Sequence, residues 1–348
     1  MKHIVVVGGG VAGKKVVSDL LKLKNVKVSL VEPKEYFEVP YAQLRALVEG
    51  GSFSKSSRAL YSDILKGVNH IRSSATGIKK NTLLLEEGSS VDFDYLVIAT
   101  GSHFPSIERV KGMERLIDQR HTSVEQEAKR IKSSSSILII GGGAVGVELA
   151  GEIAYAYPNK EIVLVERGKR ILSTLDEKMS KRALDVLSEM NVKIVTQTSV
   201  KEIKEGSWVD ERGTEYKADL VYRCVGIKQS SDWLIGSKEV ELDNKGALKV
   251  DAHLRSEKNP SIFIIGDVNN VPEIKLGMFA MMQAGTTIKN LKKLMKDEKA
   301  SLRSYSPKKP MGMIPIGKKK GAVGMFNLYP HFAISFKQKD LLIKMSMK

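Results

Sequence analysis

The strongest constraint on this chain is a glycine-rich turn that occurs twice, each time between an apolar run and a stretch with helical periodicity. The first copy is Ile4-Val5-Val6-Val7-Gly8-Gly9-Gly10-Val11-Ala12-Gly13, followed by apolar-periodic residues to Leu23 and an alternating run, Val26 to Val31, that ends at Glu32. The second is Ile137-Leu138-Ile139-Ile140-Gly141-Gly142-Gly143-Ala144-Val145-Gly146, then a helical stretch to Tyr157, a stop at Pro158, and Ile162 to Val165 ending at Glu166. Gly8 precedes Glu32 by 24 residues and Gly141 precedes Glu166 by 25. Strand, helix and strand periodicities follow one another in both copies, so the chain carries a duplicated β-α-β unit.

Each copy spells G-x-G-x-x-G after a strand and at the mouth of a helix. The first glycine makes the tight turn, the second admits a pyrophosphate against the backbone, and the third lets helix and strand close up. The helix N-terminus adds unpaired amides and partial positive charge. Glu32 and Glu166 stand where a carboxylate accepts the hydroxyls of a ribose. Two such sites imply two nucleotides, a bound flavin and a diffusible nicotinamide, because a hydride needs both donor and acceptor. The glycines Gly8, Gly9, Gly10, Gly13, Gly141, Gly143 and Gly146, with Val11 and Ala12, are therefore cofactor-binding candidates.

Two further apolar strands end on Ala99-Thr100-Gly101 and on Gly266-Asp267. Both resemble fingerprints of two-dinucleotide flavoproteins. By that resemblance Thr100 and Gly101 lie beside the flavin, and Asp267 holds its ribityl or pyrophosphate region. The expected fold is α/β: two Rossmann-like dinucleotide-binding domains and a small C-terminal α+β domain. Residues 1–103 and 254–305 would bind FAD, residues 104–253 NAD(P)H, and residues 306–348 would form the C-terminal domain facing quinone and membrane. Gly226, after the apolar strand through Cys224, is a further cofactor-binding candidate.

Pro33-Lys34-Glu35-Tyr36-Phe37-Glu38-Val39-Pro40 with Leu44 to Glu49, Val147-Glu148-Leu149-Ala150-Gly151-Glu152-Ile153 with Tyr157-Pro158, and Gly266-Asp267 running into Pro272-Glu273-Ile274-Lys275 sharpen the resemblance. Over essentially the whole chain it is similar to the ferroptosis-suppressor, or apoptosis-inducing-factor-homologue, flavoproteins, especially plant-type members. That resemblance implies an NAD(P)H:quinone oxidoreductase that regenerates antioxidant quinols. NADH reduces the flavin and leaves, and a lipid quinone then takes two electrons and two protons. It also implies that Glu148 positions groups or handles protons near the nicotinamide and flavin, and that Lys337, in Lys337-Gln338-Lys339-Asp340-Leu341, faces the flavin. Arg45 is expected as a counter-charge to the flavin pyrophosphate. Lys275 is expected either at the flavin carbonyl edge or at the start of a helix from Leu276 to Met295. Met278, Met281 and Met282 with Phe279 read as core packing before cofactor contact. Glu166 favours NADH, with NADPH usable because Arg167, Lys169 and Arg170 follow it.

The single cysteine, Cys224, lies in an apolar run and leaves no pair for disulfide-reductase chemistry. His103 and His121 lack metal-ligand spacing, so no metal is expected. No eighteen-residue apolar run exists, and the start Met1-Lys2 carries neither a leader nor a myristoylation signal; a cytoplasmic protein with peripheral membrane attachment is expected. The charge supports that attachment. Lys plus Arg number 56 against 40 acidic residues, for a net +16. The last 60 residues hold 15 basic and 3 acidic, or +12. Lys289, Lys292, Lys293, Lys296 and Lys299 follow helical spacing; Lys308, Lys309, Lys318, Lys319 and Lys320 come in loops beside Met311, Met313 and Ile314. Phe326, Leu328, Tyr329, Phe332 and Phe336 would add interfacial contacts at an anionic bilayer. Two other readings stay open. The basic region could dock an acidic partner such as a ferredoxin-type protein, or bind nucleic acid, although no aromatic-interleaved reader motif favours the latter. A homodimer also stays open.

Overall fold

A computed structural model describes residues 1–105, 107, 110, 112–205, 207–324 and 328–348. The first glycine turn joins strand Lys2–Val7 to helix Val11–Leu20. This strand is the centre of a five-stranded sheet in the order Ile262–Ile264, Tyr95–Ile98, Lys2–Val7, Val26–Val31, Asn69–Ile71. All its pairings are parallel. A parallel sheet needs cover on both faces, which explains the unbroken apolar runs Ile4 to Val7, Tyr95 to Ile98 and Ile262 to Ile264. Ile4 and Val6 enter one core with Val97 and Phe263, whereas Val5 and Val7 enter the opposite core with Leu96, Ile98 and Ile264.

The second turn joins strand Ser136–Ile140 to helix Ala144–Ala156. Its four-stranded parallel sheet runs Lys193–Val195, Glu161–Val165, Ser136–Ile140, Leu220–Arg223. The order repeats that of the first sheet without its fifth strand, so the duplication extends beyond the β-α-β unit. Leu220–Arg223 sits beside the second glycine turn as Tyr95–Ile98 sits beside the first. In both sheets the strands end in register, and the turns gather at their carboxyl edges, where open α/β sheets bind ligands.

After helix Gly277–Leu294, which packs on Val11–Leu20, the chain forms an antiparallel hairpin, Gly312–Ile316 and Lys320–Gly324. Helices Ile334–Gln338 and Ile343–Met347 follow. The hairpin shares a core with the second unit: Ile314, Ile316 and Ala322 pack in one cluster with Val147, Ile153 and Leu187. Helix Gln43–Glu49 lies against Ala144–Ala156, and its Leu44, Leu47 and Val48 join that cluster. One expectation on the C-terminal region is corrected here. Met311 and Ile314 are buried rather than offered at the surface, and Ile314 lies in a strand, residues 312–316, whose Ile314 and Ile316 fill this core. Phe326 lies outside the described residues. Among the described residues, no helix is long and apolar enough to cross a membrane.

Candidate functional site

The two glycine turns repeat each other in atomic detail. Gly8 has φ +98° and Gly141 φ +110°, which a side chain would strain. A Cβ on Gly13 would stand 1.9 Å from the Gly8 carbonyl oxygen; on Gly146 it would stand 2.0 Å from that of Gly141. The middle glycines differ from these. Around a Cβ on Gly10 or Gly143 there is open space to 4 Å. Both are the N-caps of their helices, with no side chain capping the first amides and no acidic residue in the first turn. Unclaimed amides facing an open hollow suit a pyrophosphate, so the residues present fit a dinucleotide at each turn.

The carboxylates at the second strands are already engaged. Glu32 accepts from the Gly9 amide at 2.7 Å and from the Lys34 amide at 3.1 Å. Glu166 accepts from the amides of Gly142 and Gly168, both at 2.6 Å. Tyr61, buried, adds a bond in the first site by donating to the Gly9 carbonyl at 2.8 Å. The duplication continues at the neighbouring strands: Gly101 (φ +68°) and Gly226 (φ +79°) each follow one and each leave open space at the Cβ position. Arg170 donates to the carbonyls of Leu172, Ser173 and Leu175, which leaves exposed Arg167 and Lys169 as the nearby cations in sequence.

At the first sheet's edge, Thr100 Oγ1 donates to the Ser230 carbonyl at 2.7 Å, and Ser102 Oγ donates to Asp267 Oδ2 at 2.7 Å. Sequence reasoning missed Gln283. Its buried Oε1 accepts from the Gly266 amide and from Asn269 Nδ2, both at 2.7 Å, and its Nε2 donates to Glu273 Oε1. This fixes the turn that presents Asp267. Lys275 precedes the helix and donates to the carbonyls of Asn269 and Val271; burial pulls its pKa down. Phe279 is buried in the core as expected, while Met282 is exposed and Met281 Sδ receives the Tyr41 hydroxyl.

Glu148 and Lys337, far apart in sequence, meet. Glu148 begins the second turn of Ala144–Ala156 rather than its first, and its Oε1 lies 3.6 Å from Lys337 Nζ. Lys337 also donates to the Met313 carbonyl at 2.8 Å and lies 5.5 Å from the centre of the Tyr41 ring. Only 15% of Glu148 and 11% of Lys337 side-chain surface is exposed. Burial pushes the Glu148 carboxyl above the usual carboxylate range, with Lys337 drawing it part of the way back. Burial, and then the Asp267 charge, push Tyr41 up to about 12. Cys224 is buried, which pushes its thiol up to about 12. A thiol so poorly ionised is a packing residue.

Arg45 requires a correction. It does not stand free as a pyrophosphate counter-charge. Its guanidinium is 3% exposed and grips Glu152 through Nε and Nη2, each at 2.9 Å. The remaining bonds go to the carbonyls of Gln338 and Gly317. A buried cation takes the strongest nearby anion, and that anion is a protein carboxylate.

Fold and site together define an oxidoreductase with two dinucleotide sites, and residues 2–285 match the pyridine nucleotide-disulphide oxidoreductase family. The chain belongs to that family and, within it, to the group of ferroptosis suppressor protein 1 and the apoptosis-inducing factor homologues. It is 31% identical to ferroptosis suppressor protein 1 of Mus musculus, with 99% of this chain and 95% of that protein covered. Apoptosis-inducing factor homolog A of Dictyostelium discoideum is 29% identical over 92% of this chain and 84% of its own length. In fold it is similar to the sulfide:quinone oxidoreductase of Aquifex aeolicus, with TM-score 0.78 at 17% identity, covering 99% and 92% of the two chains. The chain is an NAD(P)H-dependent flavoprotein oxidoreductase.

Proposed function

We propose that the chain is an NAD(P)H:quinone oxidoreductase that holds FAD in the first site, takes NADH in preference to NADPH in the second, and works at an anionic membrane surface. The observation that carries this reading is the Glu148–Lys337 pair, two largely buried groups of opposite charge 3.6 Å apart that join the second glycine turn's helix to the C-terminal segment. The flavin, when bound, supplies two-electron transfer between nicotinamide and acceptor. Gly8, Gly9, Gly10, Val11, Ala12 and Gly13 would hold its pyrophosphate, Glu32 its ribose, and Thr100, Gly101, Asp267 and Lys275 would line its remaining length. Gly141, Gly143, Gly146, Glu166 and Gly226 would hold the nicotinamide dinucleotide in the same manner. Lys337 Nζ can donate a proton to a reduced acceptor oxygen, and Glu148, 3.6 Å away with its carboxyl raised by burial, can pass one back. With Cys224 buried and alone, no thiol pair competes for the electrons.

The membrane part rests on apolar exposure beside positive charge. Leu328, Phe332 and Phe336 are 67%, 83% and 69% exposed, and the last two are four residues apart along a helical segment. Exposed Lys292, Lys296, Lys299, Lys309 and Lys319 belong to the same basic region of sequence. Several lysines near an anionic leaflet, each contributing on the order of 1 kcal/mol, give reversible attachment.

Purified protein should be yellow, should bleach on anaerobic addition of NADH, and should regain colour with a soluble quinone. Bleached protein that no quinone reoxidises would refute the acceptor. Sedimentation with phosphatidylserine vesicles, but not with neutral ones, and release by high salt test the surface; equal binding to both would refute it.

A further inference from the structure

We propose that Arg45 is a positioning residue for the Glu148–Lys337 pair, one guanidinium that ties together the two helices carrying them. The inference rests on the functional reading above, since it assigns Arg45 to the geometry of that pair. Glu152, the carboxylate that Arg45 grips, lies one turn beyond Glu148 on the same helix face. Gln338, whose carbonyl accepts from Arg45 Nη1 at 3.2 Å, follows Lys337 in the chain. The Gly317 carbonyl, in the loop between the hairpin strands, accepts from Nη2 at 3.2 Å. The Gln338 side chain closes the arrangement by donating to the carbonyls of Gly317 and Lys320. Arg45 itself comes from a third segment, Gln43–Glu49 of the first unit. Gly151, between the two glutamates, allows the approach: a Cβ there would lie 2.5 Å from Ile316 Cγ2 and 2.8 Å from Ile316 Cα.

The side chain must be arginine for this. Two parallel bonds to Glu152 fix the orientation of the fork, and the outer nitrogens are then aimed at the two carbonyls. A lysine would retain the charge and lose the fork. Charge and geometry therefore separate experimentally. The charged groups acting on Glu148 are Lys337 from the C-terminal helix, Glu152 on its own helix and Arg45 from the first unit. Glu49 and Lys318, linked at 2.9 Å, flank Arg45, with Glu49 Oε1 3.8 Å from Arg45 Nε. Lys337 and Arg45 favour the carboxylate, and Glu152 disfavours it.

The test uses the flavin-loaded proteins Arg45→Lys, Arg45→Met, Glu152→Gln and the double variant Arg45→Met/Glu152→Gln. Reduction by NADH and reoxidation by a soluble quinone are each followed across pH, and protease cleavage within residues 306–348 is read on the same samples. In Arg45→Met the pH midpoint should rise by about one unit, in Glu152→Gln it should fall, and in the double variant the two should nearly cancel. Arg45→Lys should keep the midpoint. All four should lose about ten- to a hundredfold in kcat with NADH KM little changed, as expected for a displaced pair, and should be cleaved faster in the C-terminal segment. Unmoved midpoints in both Arg45→Met and Glu152→Gln, or a kcat loss no larger than the loss of folded, flavin-bound protein, would overturn the proposal. If Arg45→Met does not fold, the downward midpoint of Glu152→Gln and the constant midpoint of Arg45→Lys decide. Wild-type protein that is bleached by NADH but reoxidised by no quinone would end the quinone reading, and the Arg45 comparison would still be read on the first half-reaction.

Discussion

Single methyl groups at Gly13 and Gly146 separate the two nucleotide sites. In each case the new Cβ would stand within 2.0 Å of the carbonyl oxygen of the turn's first glycine, Gly8 or Gly141. Ordinary contact starts at 3.4 Å, so the helix must retreat by more than about 1 Å or the turn must open. Backbone atoms provide no flexible side chain to absorb the shift. Overpacking of this kind costs about 1–3 kcal/mol. The retreat also draws the unclaimed first-turn amides away from a bound pyrophosphate, and each 1.4 kcal/mol lost there is tenfold in affinity. Gly13→Ala should therefore purify with little flavin while keeping its fold. Gly146→Ala should purify yellow but show an NADH KM raised about tenfold or more. Flavin absorbance per protein and anaerobic NADH titration measure both. Equal flavin loss in the two variants, or flavin loss only in Gly146→Ala, would refute the order of sites.

Three further outcomes follow from the geometry. Wild-type kcat/KM should be about tenfold or more higher for NADH than for NADPH, because Glu166 repels a 2′-phosphate; a reversed ratio in steady-state assays would contradict its placement. Glu38 accepts from Arg58 and Arg120 at 2.6 and 2.8 Å, and although burial pushes its carboxyl up, the two guanidiniums outweigh burial and hold it below the usual range. Its stabilising contribution is therefore present above the unfolded carboxyl pKa and lost as pH falls through the depressed folded value; Glu38→Gln should cost about 3–5 kcal/mol at neutral pH and flatten the acid limb of a Tm-against-pH curve. Gly151→Ala should push Ile316 away, cost about 1–3 kcal/mol by urea unfolding and speed proteolysis of residues 306–348.

What could be read in the sequence was whatever is encoded locally. Gly8 to Glu32 and Gly141 to Glu166 are contiguous units whose turn, helix and strand requirements are met within some thirty residues. The same holds for the Ala-Thr-Gly and Gly-Asp strand ends. The longer correspondence of the two sheets was hidden because Val225-Gly226 shares no letters with Thr100-Gly101 apart from glycine; only φ and open space relate them. Arg45 was misassigned since a buried cation's partner is chosen by the fold, and Glu152 lies in another unit. Gln283 and Tyr61 gave no signal, for amides and phenols that bond to backbone follow no spacing rule. Glu148 and Lys337 were each singled out, but their meeting depends on the hairpin that seats one helix on the other. Met311 and Ile314 show the opposite failure: lysine-rich surroundings concealed a strand.

The grip of Glu166 on Gly142 and Gly168 has a consequence for how nucleotide choice can change. One carboxylate holds the glycine turn through two amides and, on the function proposed here, would also select the ribose. Replacing it to admit a 2′-phosphate leaves two backbone amides without their acceptor, so the turn loosens as the charge barrier disappears. A single exchange at residue 166 therefore trades selectivity for weaker binding of either dinucleotide. A lineage moving from one coenzyme to the other would first need a new anchor for that turn, with the residue that reads the sugar changing second.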